Sequence, residues 1–313
     1  MNYRSWLIVP GNSEKKLGRA VGAGADAIIV DLASVPHELK HHARLLAAEW
    51  LAATRQNVLE NRLGRWVRIN AMDQSGTWRE DLLTVMAAAP DGIMLPKAAG
   101  PEEVRQLAAE IYEAEERQHL PSNSTQIIPV VGETALSAMT IGQYIGQAHQ
   151  RICALAWDAD ALASAISATE VMGRDGQLAG VFASVRAQTL LTAHACGVMA
   201  IESALGDVTD TQILVARARS ARAEGFSGMV ATHADQVRFI NEAFACNERD
   251  IVEAREILSA FEANPGAGSI EFKGRLLHQS QRLMAERTLG RTSGHAHRTP
   301  APSSQATAVL RPA

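Results

Sequence analysis

Ile127-Ile128-Pro129-Val130-Val131-Gly132 runs into Glu133, and Ile152-Cys153-Ala154-Leu155-Ala156-Trp157 runs into Asp158-Ala159-Asp160. Each is a short apolar run closed by an acid. Continuous apolar runs suit strands covered on both faces, as parallel strands are. If these two are neighbouring parallel strands, their carboxylates leave the sheet at the same rim. Two hard oxygen ligands meeting there, Glu133 and Asp160, with room for water and substrate, describe a Mg²⁺ site. Other roles fit the same residues. The two carboxylates can form a general acid/base dyad, and Glu133 stands before Thr134-Ala135-Leu136, where a helix starts, so it can be a cap. Asp158 competes with Asp160 as the ligand, with capping of the following helix as its alternative role.

Six further runs share the pattern: Trp6-Leu7-Ile8-Val9, Ala27-Ile28-Ile29-Val30, Trp66-Val67-Arg68-Ile69, Gly92-Ile93-Met94-Leu95, and the weaker Gly197-Val198-Met199-Ala200-Ile201 and Gly228-Met229-Val230-Ala231. Helix-period segments lie between them. Residues 102–117 place Val104, Leu107, Ala108 and Ile111 at i, i+3, i+4 and i+7. Ser13 before Glu14-Lys15-Lys16 and Pro101 before Glu102-Glu103 are helix starts. Eight βα units predict an α/β fold, a (β/α)₈ TIM barrel over residues 1–234. An open doubly wound sheet is the competing count. Strand signals then stop. Residues 236–246, 250–263 and 269–287 read as helices, with Asn264-Pro265-Gly266-Ala267-Gly268 as a flexible break. Residues 235–290 are thus expected to form a C-terminal helical extension, acting as a lid or in oligomerisation. Residues 291–313 are rich in Ser, Thr, Pro, Ala and His and lack apolar periodicity, which predicts a disordered tail.

The bulk properties narrow the function classes. With 47% hydrophobic and 20% charged residues in 313, the chain reads as a soluble globular protein. A net charge of -4 gives no general attraction to nucleic acid or anionic membrane. No apolar run reaches the length of a membrane span. Met1-Asn2-Tyr3-Arg4-Ser5 enters a strand-like run at once, unlike a signal peptide. Cys153, Cys196 and Cys246 show no metal spacing, and their odd number argues against a disulfide framework. A reducing cytoplasm is the simplest setting.

In such a barrel the chemistry sits at the C-terminal ends of the strands. The first ends in Val9-Pro10-Gly11-Asn12-Ser13, a tight loop into a helix N-terminus followed by Lys15 and Lys16. Free N–H groups and two cations make this a candidate phosphate cradle, or a plain βα turn. The second strand ends in Asp31. The third carries Arg68, whose charge needs an anionic partner: a substrate carboxylate or carbonyl, or a structural pair with Asp31 or Glu133. The fourth ends in Pro96-Lys97, where Lys97 can form a Schiff base, bind a carboxylate or pair with a neighbouring acid. His37 and His41 have helical metal spacing but lie in a polar stretch that reads as a solvated face. His233 follows the eighth strand and has a hydrogen-bonded structural role as its alternative.

The order of these motifs resembles the citrate lyase beta-subunit-like group, which includes malyl-CoA and citramalyl-CoA lyases. The matching segments are Arg4-Ser5-Trp6-Leu7-Ile8-Val9-Pro10-Gly11-Asn12, Gly24-Ala25-Asp26-Ala27-Ile28-Ile29-Val30-Asp31-Leu32, Val67-Arg68-Ile69-Asn70-Ala71, Asp91-Gly92-Ile93-Met94-Leu95-Pro96-Lys97 and Glu133-Thr134-Ala135. Gly225-Phe226-Ser227-Gly228, Gln236-Val237 and Asn241-Glu242-Ala243-Phe244 follow in order. The resemblance implies a (β/α)₈ barrel with a helical extension, assembled as a homotrimer or hexamer. It implies Mg²⁺ held by Glu133 and Asp160, and Arg68 on the oxo-acid part of the substrate. It puts Lys15 or Lys16 near CoA phosphates; Asp31 and Lys97, at the ends of the second and fourth strands, are further substrate-binding candidates at that rim. The implied reaction cleaves a short 3-hydroxy-dicarboxyl-CoA thioester, citramalyl-CoA or malyl-CoA, to acetyl-CoA and pyruvate or glyoxylate. An aldolase on a free hydroxy-oxo acid, and a non-catalytic binding subunit, are the alternatives. Three positions depart from the pattern. Ala33-Ser34 replaces an acidic pair after Leu32, Ala161 follows Asp160 where another acid is usual, and His278 stands about where the extension carries an acid/base aspartate that reaches into a neighbouring subunit's site. A histidine can still move a proton near neutral pH, so His278 is the catalytic candidate there.

Overall fold

The computed structural model describes residues 3–55, 63–173, 177–204, 210–245 and 248–293. Eight parallel strands form one sheet: β1 Ser5–Pro10, β2 Ala27–Asp31, β3 Gly64–Arg68, β4 Gly92–Leu95, β5 Gln126–Pro129, β6 Ala154–Ala156, β7 Met199–Glu202 and β8 Gly228–Ala231. Their order is β5-β4-β3-β2-β1-β8-β7-β6. The open seam between β5 and β6 is bridged by Ile127 with Ile152 and by Val130 with Ala156, both parallel. The Ile127 N–H donates to Arg151 O at 2.8 Å and the Val131 N–H to Ala156 O at 2.7 Å across it. The result is the nearly closed barrel expected from the eight runs.

Helices alternate with the strands: α1 Glu14–Ala20, α2 Lys40–Ala53, α3 Thr77–Met86, α4 Pro101–Arg117, α5 Ala135–Met139, α6 Ala159–Ala165, α7 Gly180–Ala195, α8 Thr211–Glu224 and α9 Ala234–Phe244. Each strand sends alternate side chains to opposite faces. Leu7, Val9, Ile28, Val30 and Val67 join the outer core beneath the helices, whereas Trp6, Ile29, Trp66, Met94, Ile128, Val130 and Ala156 fill the barrel interior. No helix among the described residues is long and apolar enough to cross a membrane. Cys153 and Cys196 are unpaired and partly buried, and burial pushes the Cys153 thiol up to about 12. Cys246 lies outside the described residues.

The strand starts hold the bulkiest interior groups. Trp6 packs edge-on against Tyr3 and Trp66, with ring centroids 5.1 and 5.3 Å apart. Trp66 is the register partner of Gly92, and a Cβ at Gly92 would lie 2.1 Å from the indole. Gly92→Ala is therefore expected to displace Trp66 and cost about 1–3 kcal/mol by overpacking. Urea denaturation checks this; unchanged stability would mean that the ring yields freely.

The described residues between 3 and 245 form the barrel unit, and the described residues 248–293 form a second compact unit. The second unit contains α10 Glu248–Glu262, β9 Ser269–Phe272, β10 Arg275–His278 and α11 Gln279–Ser293. Here the sequence reading needs correction, because residues 269–287 are not one helix. β9 and β10 pair antiparallel, with Phe272 opposite Arg275 and Lys273-Gly274 as a two-residue turn. Both turn residues have positive φ, 50° and 74°, which suits the twist of a tight hairpin. Ile270 and Leu277 face Phe261 in a small core, so the period here is two. α11 continues to Ser293, so residues 291–293 are helical. The remainder of the expected tail, 294–313, lies outside the described residues.

Candidate active site

Strand alternation builds the rim. Ile29 and Trp66 face the interior, so Asp31 and Arg68, two residues on, face it as well. They are direct register partners on β2 and β3. The Arg68 guanidinium spans two acids: it donates to Glu133 Oε1 at 2.7 Å and lies 3.5 Å from Asp31 Oδ2. The sequence left Arg68 open between a substrate role and a pair with either acid. The structure forms both pairs.

Glu133 follows Gly132, whose φ of 79° turns the chain away from β5. A side chain there would also strike Val185 Cγ1, 2.5 Å from an added Cβ. Glu133 is 1% exposed, and its Oε2 accepts from the Lys97 backbone N–H. The Lys97 side chain is exposed, so its backbone rather than its ammonium serves this carboxylate. Burial pushes the Glu133 carboxyl above its ordinary value, Arg68 and the Lys97 N–H oppose the shift, and Asp158 adds to it. Burial also works against the charge on Arg68. Asp31, Glu133 and Asp158 together outweigh it and raise the arginine.

Asp31 is held by the loop that replaces the acidic pair. Ser34 Oγ donates to its Oδ2 at 2.5 Å, and the Ala33 and Ser34 N–H groups donate to Oδ1 at 2.9 and 3.4 Å. Asp158 is the N-cap of α6: its Oδ1 accepts from the N–H groups of Asp160 and Ala161, each at 3.0 Å. Asp160 lies in the first turn of α6 and is exposed, and its charge reaches Arg217 on α8. Among the described residues no group of three or more His, Cys, Asp or Glu side chains is arranged to hold a metal. Carboxylate oxygens without a full protein cage suit Mg²⁺, which keeps several waters.

The other predicted residues are dispersed. Lys15 and Lys16 are exposed in the first turn of α1, where the Lys16 N–H donates to Ser13 Oγ at 3.4 Å. Nearby, Arg19 on α1 and Arg238 on α9 line a shallow cleft with Gly18 and Gly22. In the second unit, His278 ends β10, is exposed, and donates its backbone N–H to Gln281 Oε1 at 2.8 Å. His233 caps α9, whose Gln236 Oε1 accepts from the Thr232 and His233 N–H groups.

Two polar residues escaped sequence reasoning. Lys40, hidden in the polar stretch 37–42, donates to Asn70 Oδ1 at 2.5 Å and Leu32 O at 3.3 Å, and burial holds its pKa down. Glu202 ends β7 at 1% exposure, accepting from Trp157 Nε1 at 2.8 Å and Arg186 Nε at 2.6 Å. An acid closing an apolar run was the signal, the same one that marked Glu133.

A parallel barrel that gathers an arginine and several acids at its C-terminal rim defines the class: a TIM-barrel protein with a site suited to oxyanions and a hard cation. The HpcH/HpaI aldolase/citrate lyase family matches residues 4–234, and the chain belongs to that family. Mouse mitochondrial citramalyl-CoA lyase is 29% identical over 305 residues, covering 90% of this chain and 85% of that protein. The (3S)-malyl-CoA thioesterase of Cereibacter sphaeroides (strain ATCC 17029 / ATH 2.4.9) is 28% identical over 293 residues, covering 92% and 94%. Among solved structures, the protein CitE from Mycobacterium tuberculosis in complex with magnesium, acetoacetate and coenzyme A superposes with a TM-score of 0.69. It is 26% identical, over 93% of this chain and 98% of that one.

Proposed function

We propose that the protein is a Mg²⁺-dependent carbon–carbon lyase that cleaves citramalyl-CoA or malyl-CoA to acetyl-CoA and pyruvate or glyoxylate. The observation that carries this is Arg68, fixed between Asp31 and Glu133 at the barrel rim. Glu133 and Asp160 are the residues that would hold Mg²⁺. When bound, the cation stabilises negative charge on the oxygens of the 2-oxo acid. Arg68 forks onto the same oxygens, already oriented by its two acids. In the cleavage the substrate hydroxyl loses its proton as the new carbonyl forms. The electron pair of the breaking C–C bond passes to the thioester fragment, and its carbon takes up a proton to give the acetyl thioester. His278, from a neighbouring subunit's extension, is the group proposed to take the hydroxyl proton and to return a proton to that carbon.

Exposed Lys15 and Lys16, with Arg19 and Arg238 along the neighbouring cleft, supply positive charge for the CoA phosphates. Assembly as a homotrimer or hexamer belongs to this proposal, with Leu136 and Met139, 64% and 83% exposed at i and i+3 on α5, as candidate contacts. The C-terminal extension serves as its lid or assembly element. Cytoplasmic residence is part of the same proposal.

The test is incubation of purified protein with citramalyl-CoA and with malyl-CoA, with Mg²⁺ and with chelator. Chelator-sensitive release of a 2-oxo acid and acetyl-CoA is expected, and His278→Ala should slow it while Mg²⁺ binding persists. Release of free CoA and an intact hydroxy acid would make the protein a thioesterase, the activity named for one relative. Cleavage of only the free hydroxy-oxo acid would make it an aldolase, and no turnover of any of these a binding subunit.

A further inference from the structure

We infer that Asp158 is a positioning residue for the divalent cation, one carboxylate oxygen capping α6 while the other faces the rim shared by Glu133 and Arg68. The inference rests on the proposed metal role of Glu133.

The backbone places Asp158 there. Ala156 belongs to the barrel interior and Trp157 to the outer core. Asp158 keeps extended backbone, with φ -139° and ψ 112°, so strand alternation carries through to it and returns its side chain to the interior side. Across the seam, Ala156 is tied to β5 through Val130 and the Val131 N–H. Glu133 lies two residues beyond Val131. The two acids therefore leave adjoining strands at the same level. Asp160 sits one helical step further on, where its charge acts on Arg217 of α8.

The hydrogen bonds divide the carboxylate. Oδ1 accepts both cap N–H groups, and among the described residues nothing donates to Oδ2. Arg68 already donates to Glu133 and approaches Asp31. A partly buried oxygen left over beside an arginine and a buried glutamate is suited to accept from a water on a hard cation. Groups of this kind orient the inner ligands and set metal affinity, and their loss typically costs 10–100-fold.

Asparagine separates the two duties, because it caps a helix about as well as aspartate but carries no charge. Mg²⁺ titration calorimetry on the full chain, with Mn²⁺ as a second probe, reads the effect directly. Asp158→Asn is expected to raise the Mg²⁺ dissociation constant at least about tenfold with an unchanged melting temperature. Asp158→Ala should weaken Mg²⁺ equally and also lower the melting temperature through the lost cap. Glu133→Gln is the control. If it binds Mg²⁺ like the native chain, the metal reading itself falls. If it loses Mg²⁺ while Asp158→Asn binds normally, Asp158 is a cap alone and only this inference is overturned.

Discussion

Glu133→Gln is expected to reduce Mg²⁺-dependent turnover by about a thousandfold or more while the protein stays folded. Lewis-acid stabilisation of a developing oxyanion is worth several kcal/mol, and each 1.4 kcal/mol is about a factor of ten in rate. An amide is a far poorer ligand for Mg²⁺ than a carboxylate, so most of that stabilisation is lost. Stability responds differently. Glu133 is almost fully buried, and its charge is disfavoured there by desolvation. Gln removes that cost, keeps an oxygen for the Lys97 N–H, and leaves Arg68 its contact with Asp31. The net change should stay within about 1 kcal/mol. Alanine is the poorer test. It leaves the Lys97 N–H without its acceptor and Arg68 without its 2.7 Å partner, a loss of about 1–3 kcal/mol. A rim carboxylate would ordinarily be replaceable without cost to the core, but Glu133 belongs to the core as well as to the rim. Native turnover in the Gln variant, with saturating Mg²⁺, would remove Glu133 from the mechanism.

The barrel was legible because buried parallel strands are apolar on both faces, and eight such runs stand out against amphipathic helices. Even the short Gly-rich runs at β7 and β8 carried the signal. The hairpin β9–β10 was not legible for the opposite reason. Its strands are four residues each, and Ile270, Phe272 and Leu277 sit close enough to helical spacing to merge with α11. At the site, the pairing of Arg68 with Asp31 and Glu133 could be anticipated, since a charge inside an apolar run must find its counter-charge. Which of Asp158 and Asp160 faces the glutamate could not. That depends on whether strand alternation or helical rotation governs the residue after Trp157: Asp158 keeps extended φ and ψ, whereas Asp160 already lies in the first turn of α6. Lys40 was hidden by its exposed neighbours His37, Glu38, His41 and His42, because a polar stretch gives no sign that one member turns inward.

The Arg151→Ala variant should lose about 3–5 kcal/mol of stability at neutral pH, the cost of leaving a buried charge without its partner. Arg151 and Glu115 are 2% and 1% exposed. The guanidinium forks onto the carboxylate at 2.8 and 2.6 Å and also reaches Thr125 O at 2.9 Å. Glu115 further accepts from the Thr125 and Asn123 N–H groups. Burial alone would push the Glu115 carboxyl up, yet Arg151 and the two N–H groups bring it below its ordinary value. A depressed acid stabilises the fold above its unfolded pKa, and that contribution is lost as pH falls through the folded value. Without Arg151 the upward push of burial, the largest influence on this carboxyl, is opposed by the Thr125 and Asn123 N–H groups and the Ser124 hydroxyl at 3.4 Å. The sign then reverses: the charged form is what destabilises, and protonation relieves it. Urea denaturation of both proteins between neutral pH and the carboxylate range should show the deficit largest at neutral pH and shrinking on acidification. A deficit independent of pH would trace to lost packing instead. The variant also bears on the site, because Arg151 O accepts from the Ile127 N–H at the base of the β5–β6 seam. That seam carries the strands that lead to Glu133 and Asp158, so on the proposed metal role of Glu133 a loosened seam should also weaken Mg²⁺ binding.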